Sequence, residues 1–408
     1  MSGKNRPDIV TTAKHEILII GGGSAGVSVA ARLLRKGYPD VAVIEPSDSH
    51  YYQPLWTLVG GGQAKASQTV RTESSVMPKK ATWIKTAATA IDPDDNTVVC
   101  ADGTAYVYDV LVVCPGLQLD WDRTEGLANC LGRGGVSSNY RFDLAPHTWG
   151  FIRNMRSGTA VFTMPSGPIK CAGAPQKIAY LAADYWRKEG VLNDIDVHLV
   201  VPTPRIFAIP EIANTLDEII ADYGITLHTQ SEVTSVDAAA RKVSVTSLGE
   251  GAADTTLPYD VLHVVPHQSA PDWIKSSPLS TGDANGYVDI DKHTMQHVRY
   301  PNIFSLGDAG SSPNSKTGAA IRKQAPVVTA NVDSFLNHEP LSAEYDGYAS
   351  CPLTVSSHAM LMAEFDYSLK MTPSIPLLDP ARPHRMYWYL KKYGLPLLYW
   401  DLMLKGLA

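Results

Sequence analysis

The chain has 408 residues, 44% of them hydrophobic and 19% charged, with 31 glycines and 28 prolines scattered without a period. This length exceeds one hydrophobic core of usual size, and the composition excludes disordered, fibrous and collagen-like classes. A formal net charge of −6 without any Lys/Arg block excludes nucleic acid as the main partner, because binding phosphates needs a cationic surface.

The first sixteen residues, MSGKNRPDIVTTAKHE, lack an apolar core, so neither a signal peptide nor a transit peptide of normal length is expected. No apolar run approaches the ~20 residues that span a bilayer. Glu16–Ile20 reads as a buried parallel strand that ends at Gly21-Gly22-Gly23-Ser24-Ala25-Gly26, and Val27, Val29, Ala30, Ala31, Leu33 and Leu34 give the next helix its apolar face. A second strand, Val41–Ile44, ends at Glu45. In such a unit Gly21 makes the tight turn, Gly23 lets the backbone approach a pyrophosphate, and Gly26 lets helix and strand pack closely. The helix N-terminus faces the phosphates, and Glu45 is placed to accept ribose hydroxyls and to repel a 2′-phosphate.

Tyr108–Gly116 (YDVLVVCPG) recurs as Tyr259–His267 (YDVLHVVPH), each copy after an expected hairpin. The first hairpin turns near Asp94-Asp95-Asn96 and Asp102-Gly103; the second uses Lys242–Thr246 and the loop Gly249-Glu250-Gly251. The fold class is therefore α/β, with two tandem Rossmann-like dinucleotide-binding domains. The second copy opens on a strand, Thr159–Met164, but Pro165–Pro175 (PSGPIKCAGAP) stands where its phosphate-binding turn belongs. Its next strand, Val197–Val201, ends in Pro202-Thr203, with no acid for a nicotinamide ribose. This domain is expected to keep the architecture and to replace nucleotide binding with a cysteine. Asn302–Asp308 returns to the first domain as a strand ending in an acid, followed by a helix from Thr317. In tandem flavoproteins such an aspartate meets the ribityl chain, so the expected cofactor is FAD. The expected boundaries are 14–118 and 285–340 for the FAD-binding domain, 155–275 for the second domain, and 341–408 for a C-terminal segment.

Five cysteines, Cys100, Cys114, Cys130, Cys171 and Cys351, are too few and too dispersed for a disulfide scaffold, and none forms a CxxC metal pair. Cys171 lies in a Gly/Pro-rich turn before an expected helix, Gln176–Lys188, with Lys170 and Lys177 nearby, a setting that favours thiolate. Cys351 follows a polar turn, compatible with exposure. Cys100 and Cys114 read as packing residues, and Cys130 remains open. The tail from Met386 to Trp400 interleaves aromatic and basic residues, which suits a bilayer interface, and Pro396 is expected to divide it into two short helices at most.

Several segments resemble sulfide:quinone oxidoreductase, especially its mitochondrial-like type: Gly21–Ser24, Glu45–Ser47, His50–Gly60 (HYYQPLWTLVG), Lys170–Lys177 (KCAGAPQK), Ser315–Thr317 and Tyr345–Pro352 (YDGYASCP). The resemblance implies an FAD-dependent enzyme that oxidises sulfide and passes electrons to ubiquinone or menaquinone. It implies a catalytic pair, Cys171 and Cys351, joined directly or through sulfur; hydrosulfide opens the bridge to a persulfide and a thiolate, and the thiolate donates into flavin C4a. The sulfur then passes to an acceptor such as a thiol or sulfite. Gly21, Gly23, Ser24, Ala25, Gly26, Glu45, Gln53, Ala88, Asp308 and Lys316 are the implied FAD residues, Lys316 lying near the flavin pyrimidine and the quinone. Cys114 departs from the alanine usual at that strand end. The implied location is a membrane surface, expected to be the bacterial plasma membrane, as a peripheral protein compatible with a homo-oligomer. Two other readings compete: a type-II NADH:quinone dehydrogenase-like flavoprotein, against which the missing second fingerprint speaks, and a flavin-bearing binding protein without turnover.

Overall fold

The computed structural model describes residues 10–249 and 253–408. The first nine residues and most of the expected Gly249-Glu250-Gly251 loop lie outside them. The first sheet has five parallel strands in the order Thr82–Ile84, Val41–Ile44, Val10–Ile20, Thr104–Val113 and Ile303–Ser305. Its parallel strands are apolar on both faces; Ile17, Leu18, Ile19, Val110, Leu111 and Val112 are all fully buried. On the edge away from Val10–Ile20, the strand Thr104–Val113 serves two partners. Its first half pairs antiparallel with Thr97–Cys100, which in turn pairs with Ala88–Asp92, while Leu111–Val113 pairs with Ile303–Ser305. The returning segment thereby completes the first domain.

The second domain repeats the plan. Five parallel strands run in the order Val136–Ser137, Val261–His263, Gly158–Thr163, Ile195–Val200 and Thr226–His228, with an antiparallel arm of Ser231–Asp237, Lys242–Ser247 and Thr255–Pro258. The two copies of the repeated segment thus hold equivalent places, each following its antiparallel arm and lying beside the first strand of its Rossmann unit. A hairpin of Ala349–Thr354 and Met360–Phe365 packs Ala349, Cys351, Leu353, Leu361 and Ala363 into the core of this second domain.

Two expectations about the C-terminal region change. Cys351 is 1% exposed, because its side chain lies on the hairpin face that packs against the domain core. Pro396 does not break the tail: helix Arg385–Tyr389 continues through π-turns at Leu390–Gly394 and Leu398–Leu402 and a short α-turn, Leu395–Leu397, to a 3₁₀ turn at Met403–Lys405. Pro396 falls at the start of the short α-turn, where its missing N–H is tolerated, and the π-turns redistribute the hydrogen bonds around it. One face of the tail is buried in the protein through Tyr387, Trp388, Tyr399, Trp400, Met403 and Leu404; Met386, Tyr389, Tyr393 and Leu397 are exposed. Among the described residues no helix is long and apolar enough to cross a membrane.

Candidate functional site

The glycine-rich turn joins Val10–Ile20 to helix Ser24–Lys36. Gly21 has φ +101°, and a Cβ there would stand 2.5 Å from the Cys114 carbonyl oxygen; a Cβ on Gly26 would stand 1.8 Å from the Gly21 oxygen. Both positions admit only glycine because strand, turn and helix pack on one another there. A Cβ on Gly23 would meet nothing within 4 Å. The turn is therefore closed on its protein side and open on the side where a pyrophosphate lies. Glu45 accepts from the Gly22 N–H through Oε2 and from the Ser47 N–H through Oε1, both at 2.7 Å, leaving each oxygen a further lone pair for a ribose hydroxyl. Burial raises its pKa, against the pull of those two N–H bonds. These features fit the adenosine diphosphate half of FAD.

Of the other expected FAD residues, Asp308, Lys316 and Gln53 lead from this turn toward the cysteine loop, while Ala88 lies on the antiparallel arm. A Cβ on Gly307 would contact the Ala25 Cβ at 3.4 Å, which sets Asp308 beside the helix start. Burial raises the Asp308 pKa while Lys316 and Lys170 oppose it. Lys316 Nζ donates to the carbonyls of Asp308 and Gly310 and lies 3.9 Å from the Tyr287 ring centroid; burial pushes its pKa down to about 8. Gln53 Oε1 accepts from Lys170 Nζ at 2.7 Å. Ala88 is buried at the first position of the antiparallel arm, four residues beyond Ile84, whose carbonyl accepts the Glu45 N–H.

The loop that replaces the second phosphate-binding turn is tied down residue by residue. The Ser166 N–H donates to Glu232, which also pairs with His267 at 2.7 Å. The Lys170 N–H donates to Gln268 Oε1 at 2.8 Å, and the Lys170 carbonyl accepts from Tyr140 Oη at 3.0 Å. The Cys171 N–H donates to the Lys316 carbonyl at 2.8 Å, joining the loop to the segment that follows Asp308. Cys171 itself has φ +53°, an uncommon conformation for a non-glycine residue that these bonds hold in place.

Its Sγ lies 3.7 Å from Cys351 Sγ, although the two are 180 residues apart in the chain. Gly173 makes room for this approach, since a Cβ there would stand 2.3 Å from Cys351 Sγ. Lys177, one turn into helix Ala174–Lys188 and 2% exposed, places Nζ 3.2 Å from Cys171 Sγ. The Cys351 thiol and the cations of Lys177 and Lys391 hold the Cys171 thiol well below its ordinary pKa, despite burial. Cys351 moves the other way, because it donates to Cys171 and is buried. The arrangement is one thiolate, one thiol and a buried cation. Lys391 comes from the tail; its Nζ donates to the Pro54 carbonyl at 3.0 Å, and burial pushes its pKa down to about 7.

Cys100, Cys114 and Cys130 are buried away from this pair, and burial raises the pKa of each. Tyr140, Gln268, Gly173 and Lys391 are the residues that reading the chain did not single out for roles. Gly173 lies inside the KCAGAPQK segment, where a glycine next to a candidate cysteine is the available signal. The others carry none, being ordinary residues brought in from distant segments.

Residues 15–325 match the family model for pyridine nucleotide-disulphide oxidoreductase. The chain is 40% identical over 397 residues to the mitochondrial sulfide:quinone oxidoreductase of Dictyostelium discoideum, covering 96% of this chain and 86% of that protein. It is 35% identical to the mitochondrial sulfide:quinone oxidoreductase of Mus musculus, covering 97% of this chain and 88% of that protein. The solved sulfide:quinone oxidoreductase of Aquifex aeolicus superposes with a TM-score of 0.82 at 18% identity, over 97% of this chain and 92% of that one.

Proposed function

From the premise that the chain belongs to the sulfide:quinone oxidoreductase family of flavoproteins, we propose that it oxidises sulfide with bound FAD through Cys171 and Cys351 and delivers the electrons to a membrane quinone. The observation that carries the cysteine assignment is the 3.7 Å separation of the two sulfurs with Lys177 Nζ at 3.2 Å from one of them. A direct disulfide needs ~2.05 Å, and two such bonds with a bend at a shared sulfur reach across a gap of this order. The pair is thus suited to an S–S bridge or to a bridge through one added sulfur.

In the proposed cycle hydrosulfide attacks the bridge at Cys351: a bond forms between its sulfur and Cys351 Sγ, and the bond to the Cys171 side breaks. Cys171 leaves as thiolate from a direct disulfide, and as a persulfide anion from a bridge with one added sulfur. The lower-pKa thiol is the better leaving group, and Lys177 and Lys391 stabilise the charge it acquires. The persulfide left on Cys351 gives up its outer sulfur to a thiol or sulfite acceptor. When bound, FAD supplies a two-electron acceptor for the Cys171 thiolate and a donor to the quinone. Gly21, Gly23, Ser24, Ala25, Gly26 and Glu45 would hold its nucleotide half, with Asp308, Gln53, Ala88 and Lys316 along the rest. Lys316 then sets a positive charge at the far end of the path, on the cysteine side.

The tail supports action at a membrane surface, since it buries one face in the protein and exposes Met386, Tyr389, Tyr393 and Leu397. Placement on a bacterial plasma membrane in particular rests on the sequence reading alone. Anaerobic mixing with sulfide should bleach the flavin band, a short-chain quinone should restore it, and Cys171→Ser and Cys351→Ser should abolish the bleaching. A flavin reduced by NADH and untouched by sulfide would overturn the proposal in favour of a dehydrogenase.

A further inference from the structure

A buried line of polar side chains joins the C-terminal segment to the glycine-rich turn. Tyr399 Oη lies 2.7 Å from Ser24 Oγ and 2.5 Å from His50 Nε2, and His50 Nδ1 lies 3.2 Å from Glu73 Oε2. His50, Glu73 and Tyr399 are 2%, 1% and 3% exposed. The second carboxylate oxygen, Glu73 Oε1, has no hydrogen-bond partner among the described residues and points at the turn, 3.1 Å from where a Gly22 Cβ would stand. Around this line the tail is pinned on three sides. The Tyr399 ring lies 4.5 Å from that of Tyr52, the Arg71 guanidinium sits 4.4 Å over the Trp400 ring, and Gly406 backs onto Ala31 and Arg32 of the first helix.

Ser24 is the first residue of that helix, beside the open face of Gly23. Its backbone N–H belongs to the group that faces a dinucleotide pyrophosphate. A tyrosine hydroxyl carries one hydrogen and accepts others, so Tyr399 bonds Ser24 and His50 at once and fixes the serine relative to a buried imidazole. We propose that the C-terminal segment is a wall of the FAD site, with Tyr399 the residue that positions Ser24 for the flavin nucleotide, so that retention of FAD depends on docking of the tail. The inference rests on FAD being the resident cofactor. It makes the segment with the exposed apolar face also the one that closes the nucleotide site.

The test is the rate of FAD release from purified holoprotein, followed by the return of free-flavin fluorescence after dilution. Tyr399→Phe keeps the ring and its packing on Tyr52 and removes only the hydroxyl. Release should become about threefold to tenfold faster, the effect of the hydrogen bond lost at Ser24. Tyr393→Phe, on the exposed face, should release FAD at the wild-type rate, and Tyr399→Phe should lower the melting temperature of the holoprotein further than that of the flavin-stripped protein, because only the holoprotein also loses FAD affinity. Release from Tyr399→Phe at the wild-type rate would overturn the proposal, as would an equal acceleration in Tyr393→Phe or a fall in melting temperature that is the same in the holoprotein and the stripped protein. If Tyr399→Phe yields no soluble holoprotein, Arg71→Gln decides: it loosens Trp400 from outside the turn, and unchanged release there overturns the wall. A wild type that takes up no flavin at all would instead overturn the FAD reading, a result distinct from unchanged release.

Discussion

Replacing Lys177 with methionine removes the charge beside Cys171 while keeping an unbranched side chain one atom shorter. Nζ stands 3.2 Å from Sγ, and the lysine is 2% exposed, so solvent screens the pair weakly. At an effective dielectric of about 20, a unit charge pair at that distance is worth about 5 kcal/mol. Lys391 remains as a second cation and water can enter the vacated space. About half of that energy should therefore survive as a net effect, a rise of roughly 2 units in the Cys171 pKa at ~1.4 kcal/mol per unit. Iodoacetamide alkylation of the Cys171 peptide in the reduced protein, resolved by mass and measured across pH, reads this directly. The reactivity midpoint should move up by roughly 2 units in Lys177→Met and far less in Lys177→Arg. A linked effect on stability has a fixed sign. Burial pulls the folded pKa of Lys177 down, but the facing Cys171 thiolate and its Cys351 partner raise it overall, so its contribution is complete below the unfolded value and fades as pH rises through the folded one. The destabilisation of Lys177→Met should therefore shrink in strong alkali. A midpoint within about half a unit of wild type in a folded Lys177→Met protein would refute the electrostatic reasoning.

Two further expectations follow from packing and from the tail. Gly26→Ala puts a Cβ 1.8 Å from the Gly21 oxygen, so the first helix must move off its strand. The overpacking should cost about 1–3 kcal/mol and leave the purified protein with little flavin; a wild-type flavin-to-protein ratio would contradict this. Changing Met386, Tyr389, Tyr393 and Leu397 together to asparagine should weaken co-flotation with anionic vesicles roughly a hundredfold, on a scale of about 0.8 kcal/mol per buried methylene. Flavin content and sulfide-driven bleaching with a soluble quinone should be unchanged, and undiminished flotation would show that this face does not carry the attachment.

The features that were legible in the chain are those set by local rules. A continuous apolar strand, three glycines at fixed spacing, an amphipathic helix and a terminal acid specify one unit, because each residue meets a constraint within its own neighbourhood. The repeat at Tyr108 and Tyr259 announced the second domain for the same reason. The candidate chemistry was legible only in part. Cys171 stood out through its turn, its helix and its lysines, whereas its partner came from a family resemblance and its burial was not foreseen. An alternating hairpin strand gives no indication of which domain its inward face will meet.

By itself the sequence determined two Rossmann-like units, an FAD-type turn in the first and a cysteine loop where the second should hold a nucleotide. Tertiary structure alone decided that Cys351 folds onto Gly173 beside Cys171, that Tyr140 and Gln268 clamp the Lys170 peptide, that Lys391 and Tyr399 of the tail reach the Pro54 carbonyl and the nucleotide turn, and that the helical tail runs on through Pro396. The physical reason is range. Propensity, turn chemistry and glycine sterics act over a few residues, whereas these contacts join segments that meet only when separate apolar faces are buried against one another.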